Sequence, residues 1–157
     1  MYIFMFFVRQ FANMCGNHAI QNLCKSCKIT YNDMHAACKK IFEETGDPVS
    51  NHESFGGNWS VAAVLKAITM AGYEVIQAVE TKKQRIWSAA SIQDLMEDPE
   101  FRGIIIHQPH RHHFTCLRTE KIEDKLKLYL VDSQSPGPLA ISPKLAMQRC
   151  TSPAYAW

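Results

Sequence analysis

Apolar residues recur at helical spacing in two stretches of the chain. The clearer pattern covers residues 59–71 and consists of Val61, Val64, Leu65, Ile68 and Ala71. Asn58 can cap this predicted helix, and Gly72 follows it where a left-handed residue commonly ends a helix. Residues 73–79 are rich in β-forming side chains and are predicted to form a strand.

The other helical pattern begins near Asn13 and ends at about Lys25. Its apolar residues share one broad stripe and are Ala19, Ile20, Leu23, Cys24 and Cys27. The apolar segment 1–8 is predicted to be a strand, because Arg9 ends it far short of the ~20 residues that a membrane span needs. It also lacks the basic start of a signal peptide.

The second half of the chain has mostly strand patterns. A short helix is predicted over residues 91–98, and strands over 103–106, 113–119 and 126–132. The charged segment EKIEDK, residues 120–125, is predicted to be a connector between the last two strands. Helices followed by a mainly antiparallel sheet predict an α+β fold.

The composition is that of an ordinary globular domain: 157 residues, 46% hydrophobic and 20% charged. A formal net charge of +2 argues against a dedicated nucleic-acid binder, which concentrates a larger basic excess on one face. The chain has 6 cysteines and shows no secretory signal, so reduced thiols in the cytoplasm are expected.

One set of residues has the composition of a nucleophilic site. Cys15 falls in the first turn of a helix that Asn13 would cap, where unpaired N–H groups favour a thiolate. A thiolate needs a base and a group that orients the base. His113 begins one strand of the predicted hairpin and Asp132 ends the next, so antiparallel pairing brings them together. Gln10 can supply an oxyanion donor beside the Cys15 N–H.

Each of these residues also has a structural interpretation: a packing cysteine, a strand-edge histidine, a turn aspartate and a loop glutamine. Together they follow the Cys-His-Asp order of papain-like enzymes. Gly16, directly after Cys15, is expected to allow close approach of a substrate backbone. The adjacent His112 offers an alternative to His113, but only one of two neighbouring strand residues can face the thiol.

Four ordered blocks of the sequence resemble the Josephin family. The block QFANMCGNHAIQNL has Gln five residues before Cys and the family's Cys-x-x-His-Ala-hydrophobic-x-Asn-hydrophobic pattern. GNWSVAAVLKAITMAGYEV is similar to the family's helix-and-strand segment. HFTCLR and LVDSQ resemble its His-Trp-hydrophobic hairpin and its Asn-hydrophobic-Asp-Ser strand. The match covers about residues 6–135 and is closer to the short Josephin-domain proteins than to the ataxin-3 type.

The resemblance implies a papain-like cysteine protease fold, in which a catalytic helix and a helical arm, residues 29–57, pack against the sheet. It implies a deubiquitinase that works without a cofactor or metal and hydrolyses bonds at the ubiquitin C-terminus. Carried over by position, Cys15 is the nucleophile and His113 the general base. Asp132 orients the imidazole, and Gln10 helps to bind the oxyanion.

The implied partners are ubiquitin, ubiquitin chains and ubiquitin conjugates, with no nucleic acid and no membrane. We expect residues 1–157 to form a single monomeric catalytic domain, located in the cytoplasm and also the nucleus. Beyond Pro138 the resemblance fades, and the nineteen residues that remain (157 − 138) are fewer than expected. This leaves open that a terminal strand or helix is missing.

Other interpretations stay open at this point. The same chemistry could serve a papain-like peptidase with a non-ubiquitin substrate, such as the bacterial leader-peptide proteases. A weakly active ubiquitin-binding module is the alternative outside the enzymes. Two sets of residues could instead bind a metal: Cys24, Cys27, His35 and Cys38, or His107, His110, His112 and His113.

Overall fold

The computed structural model describes residues 14–25, 28–54, 57–75, 89–108 and 111–151. They form five α-helices and six strands. The helices are α1 (Cys15–Cys24), α2 (Tyr31–Thr45), α3 (Val61–Met70), α4 (Ala89–Glu97) and α5 (Pro143–Thr151). The strands are β1 (Glu53–Ser54), β2 (Asn58–Trp59), β3 (Gly103–Gln108), β4 (His113–Ile122), β5 (Lys125–Val131) and β6 (Leu139–Ile141).

The main sheet has four antiparallel strands in the order β3-β4-β5-β6. Cys116 of β4 pairs with Ile105 on one side and Val131 on the other. β1 and β2 form a separate antiparallel pair. The α+β class is therefore as predicted.

Helix α1 lies between the sheet and the two helices that follow it. Its residues Ala19 and Ile20 belong to a buried cluster with Met34 of α2, Val64 of α3 and Phe114 of β4. Near the end of α1, Leu23 packs in a second cluster formed with Cys116, Tyr129 and Val131 of the sheet. These contacts bury the apolar stripe that the sequence pattern predicts for α1.

The opposite face of the sheet is covered by α4 and α5. Ile92 and Met96 of α4 and Ala146 of α5 pack against Leu117 and Leu128. Because helices cover both faces, six successive residues of β4, from 113 to 118, are buried and show no alternation.

Local signals predict the helices well but misplace two caps. α3 begins after Ser60, whose side chain accepts a hydrogen bond from the N–H of Ala63, whereas Asn58 lies in β2. Met14 occupies the N-cap position of α1, so this helix begins one residue later than predicted, and Asn13 lies outside the described residues. Gly72 has the expected left-handed conformation, with φ of 88°.

The predicted connector 120–125 is wrong, because β4 and β5 continue through most of it. Ile122 still pairs with Lys125. The strands are joined by the two residues Glu123 and Asp124, with φ of 50° and 60°. Positive φ at both positions is typical of the tight turn whose twist matches that of the flanking strands.

Residues 73–75 do not form the strand predicted over 73–79, and 76–79 lie outside the described residues, as does the strand predicted over 1–8. Two elements follow Pro138 that the sequence patterns do not predict, namely β6 and α5. In the described part of the chain no helix combines the length and apolarity needed to cross a membrane.

We expect Gly103→Ala to lower the free energy of unfolding by about 3 kcal/mol or more. Gly103 has φ of 142°, and a Cβ there would lie 2.0 Å from the Leu117 carbonyl oxygen and 2.5 Å from Cδ1 of Leu23. Urea unfolding measures the change. The control is Gly137→Ala, where an added Cβ meets no atom within 4 Å and the change should stay within about 0.5 kcal/mol. Equal effects of the two substitutions would contradict this packing.

Candidate active site

Cys15 is the first residue of α1 and is buried, with 3% of its surface exposed. The N-cap residue Met14 makes no side-chain cap hydrogen bond. Unpaired N–H groups and the positive end of the helix dipole at such a position favour negative charge. The Cys15 thiol therefore lies in the first turn of a helix, as predicted.

His113 and Asp132 form a direct pair at the end of the sheet. Nε2 of His113 lies 2.8 Å from Oδ1 of Asp132. Since Cys116 pairs with Val131, Asp132 is diagonal to His113 across the two strands. The N–H of Gln134 donates to the same Oδ1 at 2.9 Å, so this carboxylate oxygen contacts both His113 and the Gln134 backbone.

The surroundings of His113 stabilise its protonated form. Burial alone would lower the pKa of this imidazole, but the hydrogen bond to Asp132 and the neighbouring Cys15 thiol together raise it to about 9. Burial would raise the pKa of the Asp132 carboxyl, but the hydrogen bonds from His113 and from the N–H of Gln134 outweigh it and lower that pKa. The pair therefore favours an imidazolium beside a carboxylate.

Cys15 adjoins this pair where α1 and β4 both begin. Its thiol donates to the carbonyl oxygen of His112 at an Sγ to O distance of 3.4 Å, and its contact with His113 is one cause of the raised imidazole pKa. Because Asp132 occupies Nε2 of His113, Nδ1 is the nitrogen left to exchange a proton with the thiol.

The two adjacent histidines have different surroundings. His113 is 3% exposed and bonded to Asp132, whereas His112 is exposed and has a left-handed backbone, with φ of 47°. The structure thus brings Cys15, His113 and Asp132 together and leaves the His112 side chain out of the pair. Gln10 lies outside the described residues, and its role as an oxyanion donor stays a prediction.

The expectation for Gly16 is wrong. A Cβ at this position would lie 3.1 Å from Cδ1 of Trp59 and 3.1 Å from Cγ2 of Val64. The missing side chain therefore lets the indole and α3 pack against α1, and it opens no space toward a substrate. Trp59 also donates its Nε1–H to Oδ1 of Asn17 at 3.2 Å.

A polar cleft of about 180 Å³ adjoins this site, and sequence reasoning missed it. Its lining residues are Ser50, Asn51, His52, Ser54, Asn58, Trp59, Ser60, His107 and His112. His107 stacks on Phe114 with ring centroids 4.4 Å apart. Burial, together with the charge of nearby His112, lowers the pKa of His107 to about 4, so this ring is neutral at pH 7. The lining comes from three separate chain segments, so no local pattern reveals it.

Among the described residues, no group of three or more His, Cys, Asp or Glu is arranged to hold a metal ion. Cys27 and His110, which belong to the two metal hypotheses, lie outside these residues. Burial raises the pKa values of the free thiols of Cys24 and Cys38. The Nδ1 atom of His18 lies 2.9 Å from Oε1 of Gln21.

Comparison with protein-family models decides the relationship of this chain. The Josephin model matches residues 10–152, nearly the whole chain. The chain belongs to the Josephin family. A search of curated proteins gave no match. The fold is therefore that of the papain-like cysteine proteases, as predicted.

The Josephin match extends the similarity beyond the range that the sequence motifs indicate. It continues past Pro138 through residues that form β6 and α5. Family membership is consistent with a cysteine-type hydrolase. The geometry agrees with that chemistry, because a thiol at a helix start adjoins an imidazole already paired with a carboxylate.

We expect Asp132→Asn in this Josephin domain to lower the free energy of unfolding by roughly 1–3 kcal/mol at about pH 6 and by less at about pH 9.5. The His113 pKa is about 9 in the folded protein, against about 6.5 for an ordinary histidine. The attraction is therefore fully present below about pH 6.5 and is lost as the pH rises through about 9.

Urea unfolding of wild type and variant at both pH values checks this expectation. Lys121→Met is the control, since Lys121 pairs with Asp124 on the exposed hairpin turn at 3.2 Å, far along β4 from His113. A difference between wild type and Asp132→Asn that does not change with pH would contradict the charged pair.

Proposed function

We propose that this Josephin domain is a deubiquitinase, hydrolysing peptide or isopeptide bonds at the C-terminal glycine of ubiquitin. The observation that carries the proposal is the His113–Asp132 pair beside Cys15, in a chain that matches the Josephin model over residues 10–152. Its partners are ubiquitin, ubiquitin chains and ubiquitin conjugates, which it would meet in the cytoplasm and nucleus.

The first half of the reaction begins from a Cys15 thiolate beside the His113 imidazolium, with the former thiol proton held at Nδ1. The thiolate attacks the glycine carbonyl carbon, and the carbonyl oxygen becomes an oxyanion, bound by the Cys15 N–H and the Gln10 side chain. The imidazolium then gives its proton to the leaving amine. The carbon–nitrogen bond breaks and leaves a thioester on Cys15.

In the second half, a water molecule replaces the amine. His113 takes a proton from the water as the water attacks the thioester carbon. The carbon–sulfur bond breaks, and the sulfur leaves as a thiolate beside the His113 imidazolium. The new carboxyl group of ubiquitin releases the second water proton to solvent and leaves as a carboxylate. Asp132 reacts in neither half, but it keeps Nε2 occupied so that Nδ1 faces the thiol.

We expect a ubiquitin whose C-terminus carries a thiol-reactive group to label Cys15 and not Cys24, Cys38 or Cys116. Burial raises the pKa values of Cys24, Cys38 and Cys116, the last to about 12, so these thiols stay protonated and unreactive. Mass spectrometry of the intact protein and of its peptides locates the adduct, which should be lost in Cys15→Ala.

A small alkylating agent is the matched control for this labelling. Reaction of Cys15 with that agent but not with the ubiquitin probe would contradict ubiquitin as the substrate and favour another papain-like peptidase. Reaction with neither reagent would favour a ubiquitin-binding module with little turnover.

We expect His113→Ala to lower kcat by about a thousandfold or more, whereas His112→Ala should stay within about fivefold of wild type. His113 is bonded to Asp132, but His112 contributes its backbone carbonyl, which the alanine variant retains. Steady-state hydrolysis of a fluorogenic ubiquitin C-terminal amide measures both values. The reverse order of the two effects would show that His112 is the base.

A further inference from the structure

Arg118, in the middle of β4, has none of its surface exposed. Burying a guanidinium is unfavourable unless hydrogen bonds and an opposite charge replace its hydration. The groups that surround this side chain therefore indicate what it holds in place.

The first of these groups belongs to α1. Nη1 of Arg118 donates to the backbone carbonyl oxygen of Asn22 at 2.6 Å. Carbonyl groups in the last turn of a helix lack partners within the helix and lie at the negative end of its dipole. The C-terminal end of α1 therefore stabilises the buried guanidinium of Arg118. The hydrogen bond joins Asn22 of α1 to Arg118 of β4.

Glu120 supplies the opposite charge beside the guanidinium at this end of α1. Nε of Arg118 lies 3.0 Å from Oε1 of Glu120, and Oε2 of Glu120 lies 2.6 Å from Nζ of Lys25. Lys25 is the C-cap residue that follows α1, and its backbone is left-handed, with φ of 51°. Leu23 lies against Gly103, where no side chain other than hydrogen would fit.

The same two elements carry the thiol and the imidazole at their other ends. Cys15 begins α1 and His113 begins β4. The thiol contacts the carbonyl of His112, and Asn22 contacts Arg118, so α1 runs along β4 in the same direction. A slip of α1 along the strand by one helical residue, about 1.5 Å, would both break the Arg118 bond and separate Cys15 from His113.

We propose that Arg118 is a positioning residue for the Cys15–His113 pair, setting the position of α1 along β4 through the Asn22 carbonyl. This inference rests on the roles proposed above for Cys15 and His113. Arg118 touches neither reacting group, so its effect on the reaction passes through the position of the helix.

The test compares Arg118→Lys with the control Lys25→Met. Lysine keeps the charge but lacks the planar fork that reaches the Asn22 carbonyl and Glu120 together. The control removes the other cation on Glu120, at the same end of α1, and leaves the Arg118 bond to Asn22 in place. Circular dichroism gives the folded fraction of each variant at the assay temperature.

For folded Arg118→Lys we expect kcat on a fluorogenic ubiquitin C-terminal amide to fall about tenfold or more, with KM within about twofold. The titration of the His113 ring, followed by NMR at its Cε1–H, should move down from about pH 9, because the ring loses the contact with Cys15. Lys25→Met should match wild type in kcat, KM and titration.

Wild-type kcat and an unshifted His113 titration in folded Arg118→Lys would overturn the inference, as would a loss of activity accounted for by the unfolded fraction. If Arg118→Lys does not fold, Glu120→Gln takes its place. It keeps Arg118 but removes the opposite charge, and a smaller shift in the same direction is expected.

The two proposals fail in different ways. If wild type hydrolyses no ubiquitin conjugate, the proposed function is wrong. The NMR titration requires no ubiquitin, so an unshifted His113 in Arg118→Lys would refute the positioning role whatever the substrate is.

Discussion

The site depends on how α1 lies along β4, because these two elements carry the thiol and the imidazole. Apolar packing holds α1 against the sheet. Ile20 packs in a buried cluster that includes Phe114, and Leu23 packs in another that includes Cys116. Apolar packing is non-directional, so it sets the distance between helix and sheet better than the position along the strand. Hydrogen bonds are directional, and the one from Arg118 to the Asn22 carbonyl fixes that position.

The electrostatics of the site follow from burial and pairing. His113 would lose its proton if burial acted alone, yet the neighbouring Asp132 and Cys15 keep the imidazolium favourable up to about pH 9. His107 differs, since this half-buried ring stacks on Phe114 and has its pKa lowered to about 4. The two histidines thus differ in charge because hydrogen bonds and charges of Asp132 and Cys15 outweigh burial at His113, whereas burial and the charge of His112 lower the pKa of His107.

Most of the secondary structure could be predicted because its signals are local. Apolar spacing predicted α1 and α3 to within a few residues, and the strand patterns predicted most of β3, β4 and β5. Alternation did not predict that Tyr129 and Val131 are buried, since a sheet covered on both faces has no polar side. It also missed that β4 and β5 pair as far as Ile122 and Lys125.

The sequence by itself determined the family, the α+β class and the candidates Cys15, His113 and Asp132. Helix starts and the pairing of successive strands depend on residues close in the chain. Only the tertiary structure decided which of two adjacent histidines meets Asp132, what fills the space beside Gly16 and why Arg118 is buried. Each of these depends on contacts between residues that are far apart in sequence, and no local pattern encodes such contacts.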